Sequence, residues 1–253
     1  MASNILQQGH FVADVCAYYG DQTPNFWPLF HDVPTKPRYP GLDPGYDYGV
    51  VNSDVILNRM TVANGRVVLP DGMSYRLLVL PAQDHIPAEV LQRIAELVKS
   101  GAIILGPKPT RDPRLADQVR RTARVQQLAD ELWGHDEGAT AKGRPVGRGG
   151  GSVFAGLTPT QVLTALGVTA DFHYDPKPGG PEADFIHRQT PDGQFYFCPE
   201  YEHEFRFAPM PVSSAGAPAG IVGPRHRPDR YWHRFQAGTC GGHYPRSAFG
   251  CRW

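Results

Sequence analysis

Four side chains stand where an α/β protein could use them: Asp47, Asn52, Asp54 and Asp84. Each falls near the end of a segment that reads as a strand, and open α/β sheets place ligands at strand ends. These four are the candidate substrate-binding residues. Each equally suits turn and capping chemistry, because Asp and Asn oxygens accept hydrogen bonds from nearby backbone N–H groups. Asn52 or Ser53 in particular suits the N-cap of a short helix over 54–60.

Covalent catalysis finds no support in the motifs. A nucleophile elbow needs Ser or Cys at the turn after a central strand. The apolar runs Tyr75–Leu80 and Ala102–Leu105 are followed by Pro-Ala-Gln-Asp and Gly-Pro-Lys-Pro, which carry neither. There is no H-E-x-x-H, and no G-x-G-x-x-G follows a strand. Gly147-Arg-Gly-Gly-Gly-Ser152 lacks the Lys-Ser or Lys-Thr of a phosphate loop and has no strand before it, so Gly138 to Gly151 reads as a mobile linker. Paired glycosidase carboxylates come from distant chain positions and cannot be identified by spacing. The four cysteines form no C-x-x-C pair, so neither a zinc site nor a disulfide framework is signalled. Cys16 reads as an inert, apolar thiol. His187-Arg188 lies inside a strand and reads as a cross-strand structural pair. No catalytic residue, metal ligand or cofactor is assigned.

The elements that would position these residues are those of one α/β domain over residues 5–170, with a mainly parallel sheet and flanking helices. Central strands are expected at Phe11–Tyr18, Tyr75–Leu80 and Ala102–Leu105, all apolar runs suited to burial on both faces. Val90, Leu91, Ile94, Leu97 and Val98 recur at helical spacing after Pro87, so Tyr75 to Gly106 reads as a βαβ unit. A second amphipathic helix is expected over Leu115–Trp133, with Leu115, Val119, Leu128 and Leu132 apolar and Arg120, Arg121 and Arg124 solvated. Asn64-Gly65 predicts a type I′ hairpin within Thr61–Leu69. Thr158 and Pro159 predict a capped helix to Leu166. Phe185–Phe197 reads as a hairpin around Thr190–Gly193. Six prolines and the apolar Phe26, Trp27 and Phe30 mark Asp21–Tyr46 as a long loop of the kind that often serves function.

Composition sets outer limits. Gly (28) and Pro (25) make about a fifth of the 253 residues, which points to long loops. Lys plus Arg equals Asp plus Glu at 25 each, so no overall electrostatic footprint for nucleic acid exists. No apolar run approaches the roughly 20 residues of a membrane-spanning helix. The first residues show no basic n-region or apolar h-region, so no signal peptide is expected and the location stays open.

A family resemblance rests on Phe11-Val-Ala-Asp-Val15, Tyr46-Asp-Tyr48, Val51-Asn-Ser-Asp-Val-Ile56, Gly106-Pro-Lys-Pro109, Leu132-Trp-Gly134, Ile186-His-Arg188 and Phe195-Tyr-Phe197. Its most specific block is Leu69-Pro-Asp-Gly-Met-Ser-Tyr-Arg-Leu-Leu-Val-Leu-Pro81. From about Leu6 to Phe207 the chain resembles the bacterial α-L-rhamnosidases of glycoside hydrolase family 106, in the region after their catalytic barrel. The resemblance implies a three-layer, amidotransferase-like or flavodoxin-like α/β accessory domain. It implies that residues 171–207 begin an incomplete β-sandwich. The family's acid and base carboxylates and its calcium belong to the barrel, so none is carried onto this chain. The chain is then expected to be a fragment of an inverting, calcium-dependent hydrolase, inactive alone, whose full-length relatives act on rhamnose-containing glycans and are often exported. The alternative is a stand-alone sugar- or small-ligand-binding module using Asn52, Asp54 and Asp84.

The tail departs from the family. Ala208–Trp253 contains no Leu, Lys or Glu and no periodicity, so no element is expected there. Codons for Gly220-Ile-Val-Gly-Pro-Arg-His-Arg-Pro228 can be chosen that read Glu-Leu-Trp-Asp-Pro-Val-Thr-Gly when shifted by one base, a block the family would be expected to carry. A reading-frame slip between Phe197 and Val212 follows as an expectation, with a genuine low-complexity tail as the alternative. A disordered tail and an orphan hairpin at Phe185–Phe197 are its consequences.

Overall fold

A computed structural model describes residues 6–21, 39–135, 142–173 and 185–198, together with the backbone of 219–222. The central feature is a six-stranded sheet. Its strands are β2 (Val15–Tyr18), β3 (Tyr48–Val51), β7 (Leu77–Val79), β8 (Ile103–Leu105), β9 (Arg144–Val146) and β10 (Gly151–Phe154), ordered β3-β2-β7-β8-β10-β9. The first five run parallel and β9 closes one edge antiparallel. The fold is α/β with a mixed, predominantly parallel sheet.

Period-two alternation divides the strand residues between two apolar clusters. Cys16, Tyr18, Leu78, Ile104 and Val153 pack on one side with helices α1 (Ser53–Asn58), α2 (Ala88–Lys99) and α3 (Gln118–Trp133). Val15, Leu77, Val79, Leu105 and Phe154 pack on the other with Val162 and Leu163 of α4 (Pro159–Ala165). Burial on both faces explains why β2 and β7 are continuous apolar runs. The α2 stripe is fully buried at Val90, Leu91, Ile94 and Val98, as its spacing predicts. The Thr158 cap is a complete capping box with Gln161. Asn64 and Gly65 take φ of 53° and 70° between β4 (Thr61–Ala63) and β5 (Arg66–Val68), the left-handed pair a type I′ turn needs.

Several expectations are corrected. Phe11–Tyr18 is not one strand: β1 (His10–Phe11) pairs antiparallel with β11 (Ile186–Thr190), and only β2 is central. Tyr75–Leu80 breaks at Arg76, because β6 (Ser74–Tyr75) pairs antiparallel with β5 while β7 joins the main sheet. An apolar run reports burial but not which sheet supplies the partner. The second helix starts at Gln118, after Asp117 with φ 51°, and Leu115 and Val119 are 87% exposed, outside the apolar face. Arg121 is not simply solvated, since it bonds Asp112 and Glu89. Residues 142–151 are no linker: they form β9 and its turn into β10, with Gly149 and Gly151 set against the end of α2.

The hairpin at Phe185–Phe197 exists, as β11 and β12 (Gly193–Phe197), but it is no orphan. It lies between β1 and β13 (Ala219–Val222) in a four-stranded sheet, β13 running parallel to β12. The expectation that 208–253 holds no element is overturned by that strand, whose backbone groups complete the β12 ladder. The rest of the tail, with Cys240 and Cys251, and residues 22–38 of the long loop lie outside the described residues.

Candidate functional site

Doubly wound sheets bind ligands beyond the carboxyl ends of their strands, where neighbouring strands connect in opposite directions. Here that point lies between β2 and β7, because the chain runs from β2 to β3 on one side and then crosses to β7 on the other. The two exits touch: a Cβ at Gly20 (φ 87°) would meet Gln83 Oε1 at 2.9 Å. Tyr18 donates its hydroxyl to Asp21 Oδ2 at 3.0 Å and lies 3.0 Å from Ser53 Oγ, which donates to Asp21 Oδ1. Burial, above all, pushes the Tyr18 phenol well above its ordinary range. Ser53 bonds a carboxylate and a phenol, a pattern that holds the β2 and β3 exits together.

Three of the four expected residues occupy this edge. Asn52 caps α1, its Oδ1 accepting from Val55 N at 3.1 Å. Asp54 accepts from Asn58 Nδ2 at 2.8 Å. Asp84 follows β7 and accepts from His85 Nδ1 at 2.8 Å and from Arg111 Nε and Nη2 at 3.2 Å each, one bond to each carboxylate oxygen. The His85 hydrogen bond, then that of Arg111, holds its carboxyl below the usual range. Its side chain is 60% exposed. Asp47 is elsewhere: it precedes β3 at the opposite end of the sheet, 3% exposed, with Oδ1 accepting from Tyr48 N at 2.7 Å. The four therefore do not converge, and Asn52 and Asp54 are engaged locally. Asn52→Ala is expected to cost about 1 kcal/mol of stability through the lost cap. Urea unfolding checks this, and an unchanged midpoint would release Asn52 from the capping role.

Asp47 belongs to a second polar group that was not legible in the spacing. Asp171, after α4, accepts from Tyr196 Oη at 2.9 Å and pairs with His187 Nδ1 at 2.6 Å. The His187 ring stacks on Tyr196 with centroids 4.1 Å apart and planes 17° apart, which makes it the cross-strand pair the sequence predicts. His187 Nε2 is buried with no hydrogen-bond partner among the described residues. Asp14 faces the group from the segment between β1 and β2. Burial, and then the Asp171 charge, raises its carboxyl to about 6. Among the described residues no three His, Cys, Asp or Glu side chains are placed to hold a metal ion.

Comparison with known proteins sets this geometry in context. The model of glycoside hydrolase family 106, described as alpha-L-rhamnosidase, matches residues 1–207. This chain belongs to that family. A rhamnosidase from Novosphingobium sp. PP1Y has a similar structure, with a TM-score of 0.63 and 25% identity over 77% of this chain and 18% of its own. A Formosa agariphila protein named "Putative beta-glucuronidase" is 32% identical over 202 residues, 80% of this chain and 15% of its own length. The chain thus spans less than a fifth of the length of each of these two relatives. The motif blocks that carry the resemblance fall in the matched span, and the block Leu69–Pro81 builds the passage from the small sheet into central strand β7.

Proposed function

We propose that residues 1–207 act as a non-catalytic accessory region of a rhamnosidase-type glycoside hydrolase, buttressing the part of the longer protein that hydrolyses a rhamnose-containing glycan. The observation that carries this reading is coverage: the family-106 model matches 1–207, and the structural likeness over 77% of this chain takes in only 18% of a solved rhamnosidase. Counted along the chain, the five parallel strands stand in the order 2-1-3-4-5, which supports a three-layer sheet of the flavodoxin-like or amidotransferase-like kind. On this reading the accessory domain spans 5–170, and 171–207 begins a β-unit that borrows β1 as its outer strand. On the same reading the family's expected calcium belongs to the catalytic part of the longer protein.

The exposed Asp84 carboxylate at the carboxyl edge of the sheet favours a second reading, a sugar- or small-ligand-binding module with Asn52 and Asp54 nearby in the fold. Titration of L-rhamnose into the folded chain, followed by NMR, separates the two. The accessory reading predicts no saturable shift at Asn52, Asp54 or Asp84. A saturable response confined to them would favour the binding module.

A further inference from the structure

Two of the three large apolar side chains exposed among the described residues stand together at the start of α3. Leu115 precedes the helix and Val119 lies in its first turn, each 87% exposed. Ala116 is exposed between them, and Ala123 is exposed one turn beyond Val119. The helix turns a different side, Val125, Leu128 and Leu132, to the core. The backbone that carries Leu115 is tied on both sides. Asp112, fully buried, accepts from Arg114 N at 2.8 Å, and its own N–H donates to Thr122 Oγ1 at 3.3 Å. Arg114 and Arg121 both pair with Glu89 of α2. Gln126 Nε2 donates to Thr110 O at 3.2 Å. An apolar group held out on a fixed backbone loses little conformational entropy when a partner covers it, which is the property of a preformed anchor.

The charges beside the anchor select its partner. Arg120 is exposed and pairs with no carboxylate among the described residues. Arg124, one turn on, bonds the neutral amides of Gln127 and Gln92. Two uncompensated positive charges therefore flank the apolar pair. A second copy of the chain docked here across a two-fold axis would set this positive face against itself. A surface with an apolar centre and carboxylates at its rim fits instead. The two relatives supply the source of such a surface, since each has more than four-fifths of its length outside the region shared with this chain. Resting on the accessory reading above, we propose that the face carrying Leu115, Val119 and Arg120 is the seat for another part of the rhamnosidase-type protein. That part meets it with an apolar, carboxylate-rimmed surface.

The test co-expresses the tagged 253-residue chain with the remaining family-106 sequence of its locus and measures the complex by co-purification and titration. A one-to-one complex is expected. Leu115→Asp should weaken it about thirtyfold or more, the scale of a central anchor. Arg120→Glu should weaken it about tenfold and flatten its dependence on salt. Both sites are exposed, so the unfolding midpoints of the two variants should match that of the parent. A locus without such a sequence, a parent that forms no complex, or a complex that both variants leave unchanged would overturn the proposal. So would a dimer of the chain alone that Leu115→Asp dissolves, because the seat would then belong to a second copy. The accessory reading fails by a different observation, glycoside turnover by the isolated chain, so the two failures are told apart.

Discussion

Replacing Asp112 with alanine is expected to destabilise the protein by about 3–5 kcal/mol, the scale for breaking a buried, hydrogen-bonded ion pair from one side. Asp112 is 0% exposed. Its Oδ2 accepts from Ala88 N at 2.8 Å and from Arg121 Nε at 3.0 Å, and its Oδ1 accepts from Arg114 N at 2.8 Å. Helix α2 begins after Pro87, which has no side-chain acceptor, so this carboxylate from the loop after β8 serves as its cap. Alanine would leave the Ala88 donor buried and unpaired and would strip Arg121 of one of its two anionic partners, Glu89 being the other. Asp112→Asn, which retains an acceptor but no charge, should lose less. Urea unfolding of the two variants measures the difference, and a loss below about 1 kcal/mol for the alanine would show that the network does not hold α2 in place.

Gly151→Ala is expected to cost about 3 kcal/mol, the upper range for forcing atoms into filled space. A Cβ there would overlap the carbonyl oxygen of Val98 and stand 2.7 Å from that of Ala102. Both obstacles are backbone, so the end of α2 and the start of β10 would have to separate. Gly150→Ala is the control. Nothing lies within 4 Å of its Cβ position, but its φ of 80° disfavours any L side chain, and a loss of about 1–2 kcal/mol is expected. Thermal unfolding should rank the two in that order, and equal losses would mean that strain in the turn, not close approach, explains the glycine run.

These two residues mark where sequence reading stops. Periodicity identified α2, the Asn64-Gly65 turn and the Thr158 cap, because each is fixed by neighbours within a few positions. Gly149 and Gly151 looked like linker residues because a glycine packed against a carbonyl and a glycine in a mobile loop are the same letter. Asp112 carries no signal in the sequence, because the helix it caps begins 24 residues earlier in the chain. The breaks at Val12–Asp14 and at Arg76 lay hidden inside apolar runs, since pairing with one sheet or another leaves the same hydrophobic pattern. Among the candidate site residues, Asp47 could not be separated from Asn52, Asp54 and Asp84, because the two ends of a strand are alike in sequence while the fold uses them differently. Asp171, His187 and Tyr196 meet only through tertiary contact, and no spacing announces them.

The central claim is that a family-106 chain of this extent is an accessory unit that does not hydrolyse glycosides alone. The direct measurement is hydrolysis of an aryl α-L-rhamnoside by the purified 253-residue chain, with its cooperative unfolding recorded on the same sample to show that it is folded. The account predicts release of the phenol at the buffer rate only. Turnover that persists through purification and rises in proportion to protein concentration would contradict it.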